Sequence, residues 1–472
     1  EKAELMSVLA VVGSDVYLHG LLKDTYSTSP ILKKIIKKDI NLIVKAEGFG
    51  DVVNDATTVV PNAARSCVSE TLSVSSNILL DVKNGWGAGL TRVSCFFSYA
   101  KVRASYLRNY PAGGSFGYGV EDVASSRFCF SNVKAKLVRH SRTSNTFQST
   151  ITGTDYDKGK SRDNVTVGVG IDNTSAAWDT HPGEDNMLFL GCVAKWSHVA
   201  GINPTLGTQR GLQDRGTNTT VKDFDYYGNG RAFYLASKQQ TYGFDYQTNI
   251  VGCDLTKDAG YGGSQTCFDL FGTSTDKQTL TIQGGNASGM SSLVSPPTDM
   301  TDLEILICGG FRSVDAGRLS IGPNQKLTLD GYTRRVTSGS VERVLVNGDG
   351  SLDLLNYTVD LAGAADLSSL VLAQGAGSAS IFVGNAIVNK LSDGFKYIAD
   401  DGTNTPSVFW GKDKVTATSV ELAAASDRVN TLGKWEGKMV FDSTLNRPVY
   451  STGTGTTSAW NFADGTPAVT PS

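Results

Sequence analysis

Residues 116–141 read FGYGVEDVASSRFCFSNVKAKLVRHS, residues 163–172 DNVTVGVGID, residues 178–201 WDTHPGEDNMLFLGCVAKWSHVAG and residues 208–224 TQRGLQDRGTNTTVKDF. Each holds a short alternating apolar run close behind an Asn. Asn132 precedes VKAKLV, Asn164 VTVGVGI, Asn186 MLFLGCV, Asn218 TTVKDF and Asn249 IVGCDL. Successive starts lie about 22 to 32 residues apart, a period at which a repeat signals a solenoid. A period-2 strand cannot bury its apolar face alone, so repeated strands of one type must stack on their own copies.

Working outward, the same pattern recurs at VYLHGL after Asp15, LIVKAE after Asn41, ILLDV after Asn77, KVRASYL after Ala100, KQTLTIQG after Asp276 and LEILICG after Asp302. No long helical periodicity separates these runs, which argues against βαβ units. The fold expected is all-β, a right-handed parallel β-helix over residues 1–322. From Gly322 the composition changes, with hairpin-type turn chemistry at Asn347-Gly348-Asp349-Gly350. A separate antiparallel, sandwich-like domain is expected over residues 323–430, for subunit or carbohydrate contact, and a short β tail over 431–472.

The chain's 472 residues exceed one ordinary compact core. Its 52 glycines against 12 prolines suit many tight turns. A net charge of −3 with both signs interspersed gives no nucleic-acid groove. No apolar run reaches the length of a membrane span, so no membrane insertion is expected. The seven cysteines show no CxxC spacing, and several lie inside strand runs, as in FCF and LGCV. Packed free thiols are expected rather than disulfides or zinc. ILKKIIKKDI at residues 31–40 reads as a short amphipathic segment with a solvated basic face. A strand pattern begins almost at Glu1 with no capping element before it, which implies a longer parent protein.

The tail, LGKWEGKMVFDSTLNRPVYSTGTGTTSAWNFADGTPAVTPS from Leu432, has a short strand pair followed by an aromatic and a TP ending. It resembles the C-terminal segments of tailed-bacteriophage tailspikes and tail fibres. The body, with its GYG, RH, DTH and RG landmarks, resembles tailspikes of the polysaccharide-depolymerase type. That resemblance implies a homotrimer in the virion tail, assembled in the host cytoplasm and acting at the outer surface of the host cell. It implies a bacterial surface polysaccharide (capsule, exopolysaccharide or O-antigen) as the partner. Attachment to other tail proteins would run through a region preceding Glu1.

Aligning coils on the Asn that opens each strand puts His140, Asp172, Ala194, Tyr226 and Lys257 in one column. The preceding loops carry Glu121 and Asp122, then Asp179, His181, Glu184 and Asp185, then Gln209, Arg210, Asp214 and Arg215, and Tyr234 is among the aromatics beside these rungs. Rungs lie about 4.8 Å apart, so carboxylates one or two rungs apart span the separations used by glycosidases. Asp179 and Asp214 are therefore the expected acid/base pair of an endo-glycosidase, with Glu184 and Glu121 as substitutes and His181 positioning. An Asp at a turn more often bonds its own backbone than catalyses. Trp178, Trp196 and Tyr226 are expected to stack on sugar faces, beside Glu121, Arg139, His140 and Arg215. No metal or cofactor is expected: the Asp179-Thr180-His181 cluster lacks a further ligand at zinc spacing. Two other activities fit the same residues. A polysaccharide lyase would use Arg139 with His140, or Arg215 with Tyr226, to hold a uronate and remove its C5 proton. A binding-only adhesin would recognise the sugar without cutting it. A secreted pectate-lyase-like enzyme shares the fold but would need a calcium-type Asp cluster.

Overall fold

In the computed structural model the chain is described from residue 88 to 472 apart from loop segments, the longest being 145–160 and 197–208. Before residue 88 only strands are described, at Val8–Val12, Asp15–Leu18, Ile40–Glu47, Ser66–Thr71 and Ser76–Lys83. The basic segment at residues 31–39 lies outside the described residues.

From Ser66 to Trp410 the chain alternates between two long parallel sheets, which is a parallel β-helix. One sheet, here the long sheet, runs from Ile40–Glu47 through Ser76–Lys83, Tyr99–Ser105, Phe130–Lys136 and Val165–Ile171 onward to Ser407–Trp410, each strand paired in parallel with the next. The other, the site sheet, holds thirteen strands from Ser66–Thr71 to Leu391–Asp400. Its strands Tyr118–Val123, His140–Ser144, Ala176–Asp179, Arg210–Asp214, Arg231–Lys238 and Thr266–Gly272 lie side by side in that order. Alternation decides what is buried: Val165–Ile171 seals Thr166, Gly168 and Gly170 inside and leaves its valines and isoleucine half-buried outside.

The interior is a column of stacked side chains. Trp178, Leu212, Phe233 and Phe268 succeed one another at one register position of the site sheet, and Phe233 stacks on Phe268 at 5.3 Å. Cys95, Cys129, Cys192, Cys253 and Cys267 are free and buried, and Cys308 is free and half-buried, as packed thiols should be.

Two expectations need correction. The helix does not end near residue 322: Gln325–Arg335, Ser351–Asp360, Ser380–Val383 and Ser407–Trp410 continue the long sheet in parallel. The Asn347-Gly348-Asp349-Gly350 turn joins Val344–Asn347 of one sheet to Ser351–Asp360 of the other. Gly348 has a φ of +56°, so hairpin chemistry here makes a coil corner. The antiparallel unit comes later. Met439–Asp442, Arg447–Ser451, Trp460–Asn461 and Pro467–Val469 pair antiparallel in sequence, and Thr416–Ala417 flanks them. A helix, Ser419–Ala423, opens on a capping box between Thr418 and Glu421. Leu422, Val429, Val440, Val449 and Trp460 form this module's own core.

The second correction is the register of the Asn markers. Asn132 pairs with Val167, not Asn164, and Asn218 with Gln247, not Asn249. Asn186 lies one residue before the Met187–Thr219 pair and so meets the next marker, Asn218, as Asn41 meets Asn77. The predicted column dissolves with that slip. Ala194, Tyr226 and Leu255 are true neighbours, whereas His140 belongs to the site sheet.

Candidate functional site

The site sheet's outer face gathers most of the predicted chemistry. Two outward positions repeat on each strand, separated by two buried residues. The first runs Tyr118, His140, Ala176, Arg210, Arg231, and the second Glu121, Thr143, Asp179, Gln213, Tyr234, Asp269. Between them a small residue and then a large one turn inward: Gly119 and Val120, Ala177 and Trp178, Gly211 and Leu212, Ala232 and Phe233. Space dictates the small residue, because a Cβ on Gly119 would lie 2.4 Å from the Ser141 carbonyl oxygen.

Asp179 sits at the centre, fully buried. Arg215 Nη2 donates to both its carboxylate oxygens at 2.8 and 2.9 Å. The Thr143 hydroxyl donates at 2.7 Å, and His181 Nε2 lies 3.0 Å away. Burial pushes the Asp179 pKa up, but Arg215, His181 and His140 together hold it well below the usual carboxylate range. Asp179 is thus a fixed anion that orients His181, whose side chain is 27% exposed. Arg215 also donates through Nε to the Thr180 carbonyl, which leaves its Nη1 without a partner among the described residues.

Asp214, one strand on, is a different case. It accepts from the hydroxyls of Thr180, Thr219 and Thr248 at 2.9, 2.8 and 2.7 Å and from the Gly216 amide at 3.1 Å. Three of these bonds fall on Oδ1 and one on Oδ2, so a 2% exposed carboxylate staples three coils together. Glu184 is likewise enclosed, bonded to Arg142 Nη2 at 2.8 Å and to the His181 amide at 2.8 Å. Asp179, Asp214 and Glu184 are brought together, but all three are buried and bonded within the fold, Asp179 at its outward position included. Glu121 does face outward, beside the Thr91 hydroxyl at 3.3 Å, two rungs from Asp179.

His140 is 5% exposed. Its Nδ1 meets the Ala176 carbonyl at 2.7 Å, which sets the neutral tautomer with its proton on Nδ1, and burial lowers its pKa to about 4. Nε2 has no partner among the described residues. The ring stacks on Tyr118, centroids 5.5 Å apart, and burial raises the Tyr118 pKa so that its hydroxyl stays protonated. Arg139 Nη1 approaches that hydroxyl at 3.5 Å.

The aromatic expectations fail together. Trp178, Trp196 and Tyr226 are 0, 1 and 1% exposed. Their polar tips bond the Val193 carbonyl, the Asn173 carbonyl and the Gly230 amide. They are core rings, so Tyr226 cannot serve Arg215 in chemistry at the surface. The sequence does not mark Tyr118, Arg231 or Asp269 as site residues, and it places Arg210 and Tyr234 beside the candidate rungs without giving them a role. The signal was the outward-small-large triplet, in Tyr-Gly-Val, Arg-Gly-Leu and Arg-Ala-Phe.

Among the described residues no group of three or more His, Cys, Asp or Glu could hold a metal ion, and no helix is long and apolar enough to cross a membrane. No family model matches the sequence. No curated protein matches it either.

Proposed function

We propose that the outer face of the site sheet binds an acidic bacterial surface polysaccharide and cleaves it by β-elimination, as the body of a tailspike-type homotrimer. One observation carries the choice over hydrolysis: the carboxylates at the centre are sealed, and Glu121, which does face outward, lies two rungs from Asp179 on a face otherwise lined there by histidine, tyrosine and arginine. A glycosidase needs a carboxyl group that can donate and another that can attack or activate water. Asp179 and Asp214 are both committed to other bonds.

In elimination, the C5–H bond of a uronate breaks and its proton passes to His181 Nδ1, the ring being held through Nε2 by Asp179. The electron pair forms the C4=C5 double bond as the C4–O bond breaks, and the protonated Tyr118 hydroxyl supplies the proton to the leaving oxygen. Arg215 Nη1 and Arg139 offset the charge that builds on the uronate carboxylate. The His140 imidazole is a neutral neighbour, and an anionic substrate would raise its basicity. Support for the tailspike assignment is the tail segment's resemblance and the body landmarks. Support for self-association is an apolar strip on the long sheet's outer face, where Tyr99, Phe130, Val165 and Leu188 occupy adjacent rungs.

The test is incubation with purified capsular and O-antigen polysaccharides, following chain length, reducing ends and ultraviolet absorbance together. Shortening with absorbance from the new conjugated double bond is expected for a uronate-bearing polymer. His181→Ala should then lower kcat by about 10²-fold or more. Shortening without absorbance would replace elimination by hydrolysis. Binding without shortening would leave an adhesin.

A further inference from the structure

On the same face, two rungs along from His140, lies a second cluster that the elimination does not use. Arg210 and Arg231 are register neighbours, as are Tyr234 and Asp269. The Arg210 guanidinium lies 3.9 Å over the Tyr234 ring and Arg231 5.1 Å from it, so two cations share one ring. The ring's negative face favours both, yet their mutual repulsion needs an anion. Asp269 supplies one, to Arg231 Nε.

Arg210 has no such partner. Its Nη1 donates to the neutral Gln213 side-chain oxygen, and its Nε is enclosed with no acceptor among the described residues. Nη2 of Arg210 and both Nη atoms of Arg231 carry no partner among the described residues. Three open donors therefore sit around a site one negative charge short of neutrality. A guanidinium with an enclosed, unsatisfied Nε is costly to hold.

We propose that Arg210 and Arg231, seated on Tyr234, form a carboxylate subsite for a uronate of the bound polymer, distinct from the one at which elimination occurs. This rests on reading the face as polysaccharide-binding. A planar carboxylate accepts well from guanidinium donors, and a single negative charge completes the cluster. The outward position of Arg210 lies about 10 Å from that of His140 along the helix axis. A polymer engaging both places thus presents carboxylates at about that spacing, which favours an acid group recurring along the chain over a single terminal one.

The experiment observes the arginine Nε–H resonances of the full chain, labelled with nitrogen-15, during titration with sodium glucuronate. The methyl ester of glucuronate and sodium chloride at matched ionic strength are the controls. The Arg210 resonance, assigned by its loss in Arg210→Lys, should shift saturably with glucuronate and stay in place with both controls. Arg231→Gln should weaken that binding roughly tenfold, the loss expected for a charged hydrogen bond. No shift overturns the subsite, and a shift shared with chloride shows an adventitious ion only and overturns it too. The shift with no polymer cleaved would keep the subsite and remove the elimination. Cleavage with ultraviolet absorbance but no shift would do the reverse. On a cleaved polymer, Arg210→Ala should raise KM roughly tenfold with kcat held.

Discussion

Burial brings the His140 pKa to about 4, against the opposing pull of Asp179, while in an unfolded chain it lies near 6.5. Above about pH 6.5 both states are neutral there and the group costs nothing. As pH falls toward 4 the unfolded chain takes a proton that the fold refuses, so stability is lost across that window. At about 1.4 kcal/mol per unit, His140's share reaches about 3 kcal/mol. Urea midpoints should therefore drop between pH 7 and pH 4.5, and His140→Gln should flatten the drop; an unchanged slope would assign it to another group. Asp179 acts lower: its folded pKa is depressed, so its contribution stands above its unfolded value and is lost only as pH falls beneath it. Asp179 and Asp214 show how far residue type alone carries. Two aspartates on neighbouring strands differ because one faces an arginine and a histidine and the other three threonine hydroxyls, and Arg215, Thr180 and Thr248 among those partners come from coils more than thirty residues away.

Beneath the site, charges alternate between adjacent coils. Arg92 donates to Asp122 at 2.7 Å, Asp122 accepts from Arg142 at 3.1 Å, and Arg142 donates to Glu184 at 2.8 Å, all of them buried. Arg142 also reaches the Asp179 carbonyl at 3.1 Å, and Glu184 holds the His181 amide. The ladder thus fixes the turn that presents His181. Arg142→Ala would leave Asp122 and Glu184 short of a countercharge in the interior, and the expected loss is about 3–5 kcal/mol of stability, read by denaturant unfolding. A loss under 1 kcal/mol would mean the interior admits water there. At this scale the sequence was legible where periodicity speaks: strand runs such as VTVGVGI and MLFLGCV are strands, and the Met439–Asp442 and Arg447–Ser451 pair is the hairpin expected of the tail. Register was not legible, because coil corners vary in length and one extra residue exchanges the inner and outer faces. That slip turned Tyr226 inward and left Arg210 and Tyr234 without a role, whereas Asp179 and His181 stand two residues apart and Arg215 directly follows Asp214.

Across the whole molecule, each coil touches only its neighbours, so coil stacking buries the interior but leaves the outer face of the long sheet uncovered. Phe97 and Tyr99 are 47 and 37% exposed, and Phe130, Val165, Val167, Val169, Ile171, Leu188, Leu190 and Val193 continue the half-buried apolar strip beside them. Contiguous apolar surface on a soluble protein marks a contact, and its rim is basic, with Lys101, Lys134 and Lys136 exposed. In the proposed homotrimer this strip is the surface that copies bury against one another. Light scattering at micromolar concentration should give the mass of three chains. The variant carrying Val167→Lys and Leu188→Lys should fall to one chain, because burying a charge in an apolar contact is costly, with its far-ultraviolet circular dichroism unchanged since both side chains point away from the core. A monomeric parent would remove the trimer, and a trimeric variant would move the contact elsewhere, the C-terminal module being next. There Met439 and Phe441 are 58 and 40% exposed on one face of the antiparallel sheet. Charges placed at those two positions would then dissociate the assembly, whereas charges on the helix strip would not.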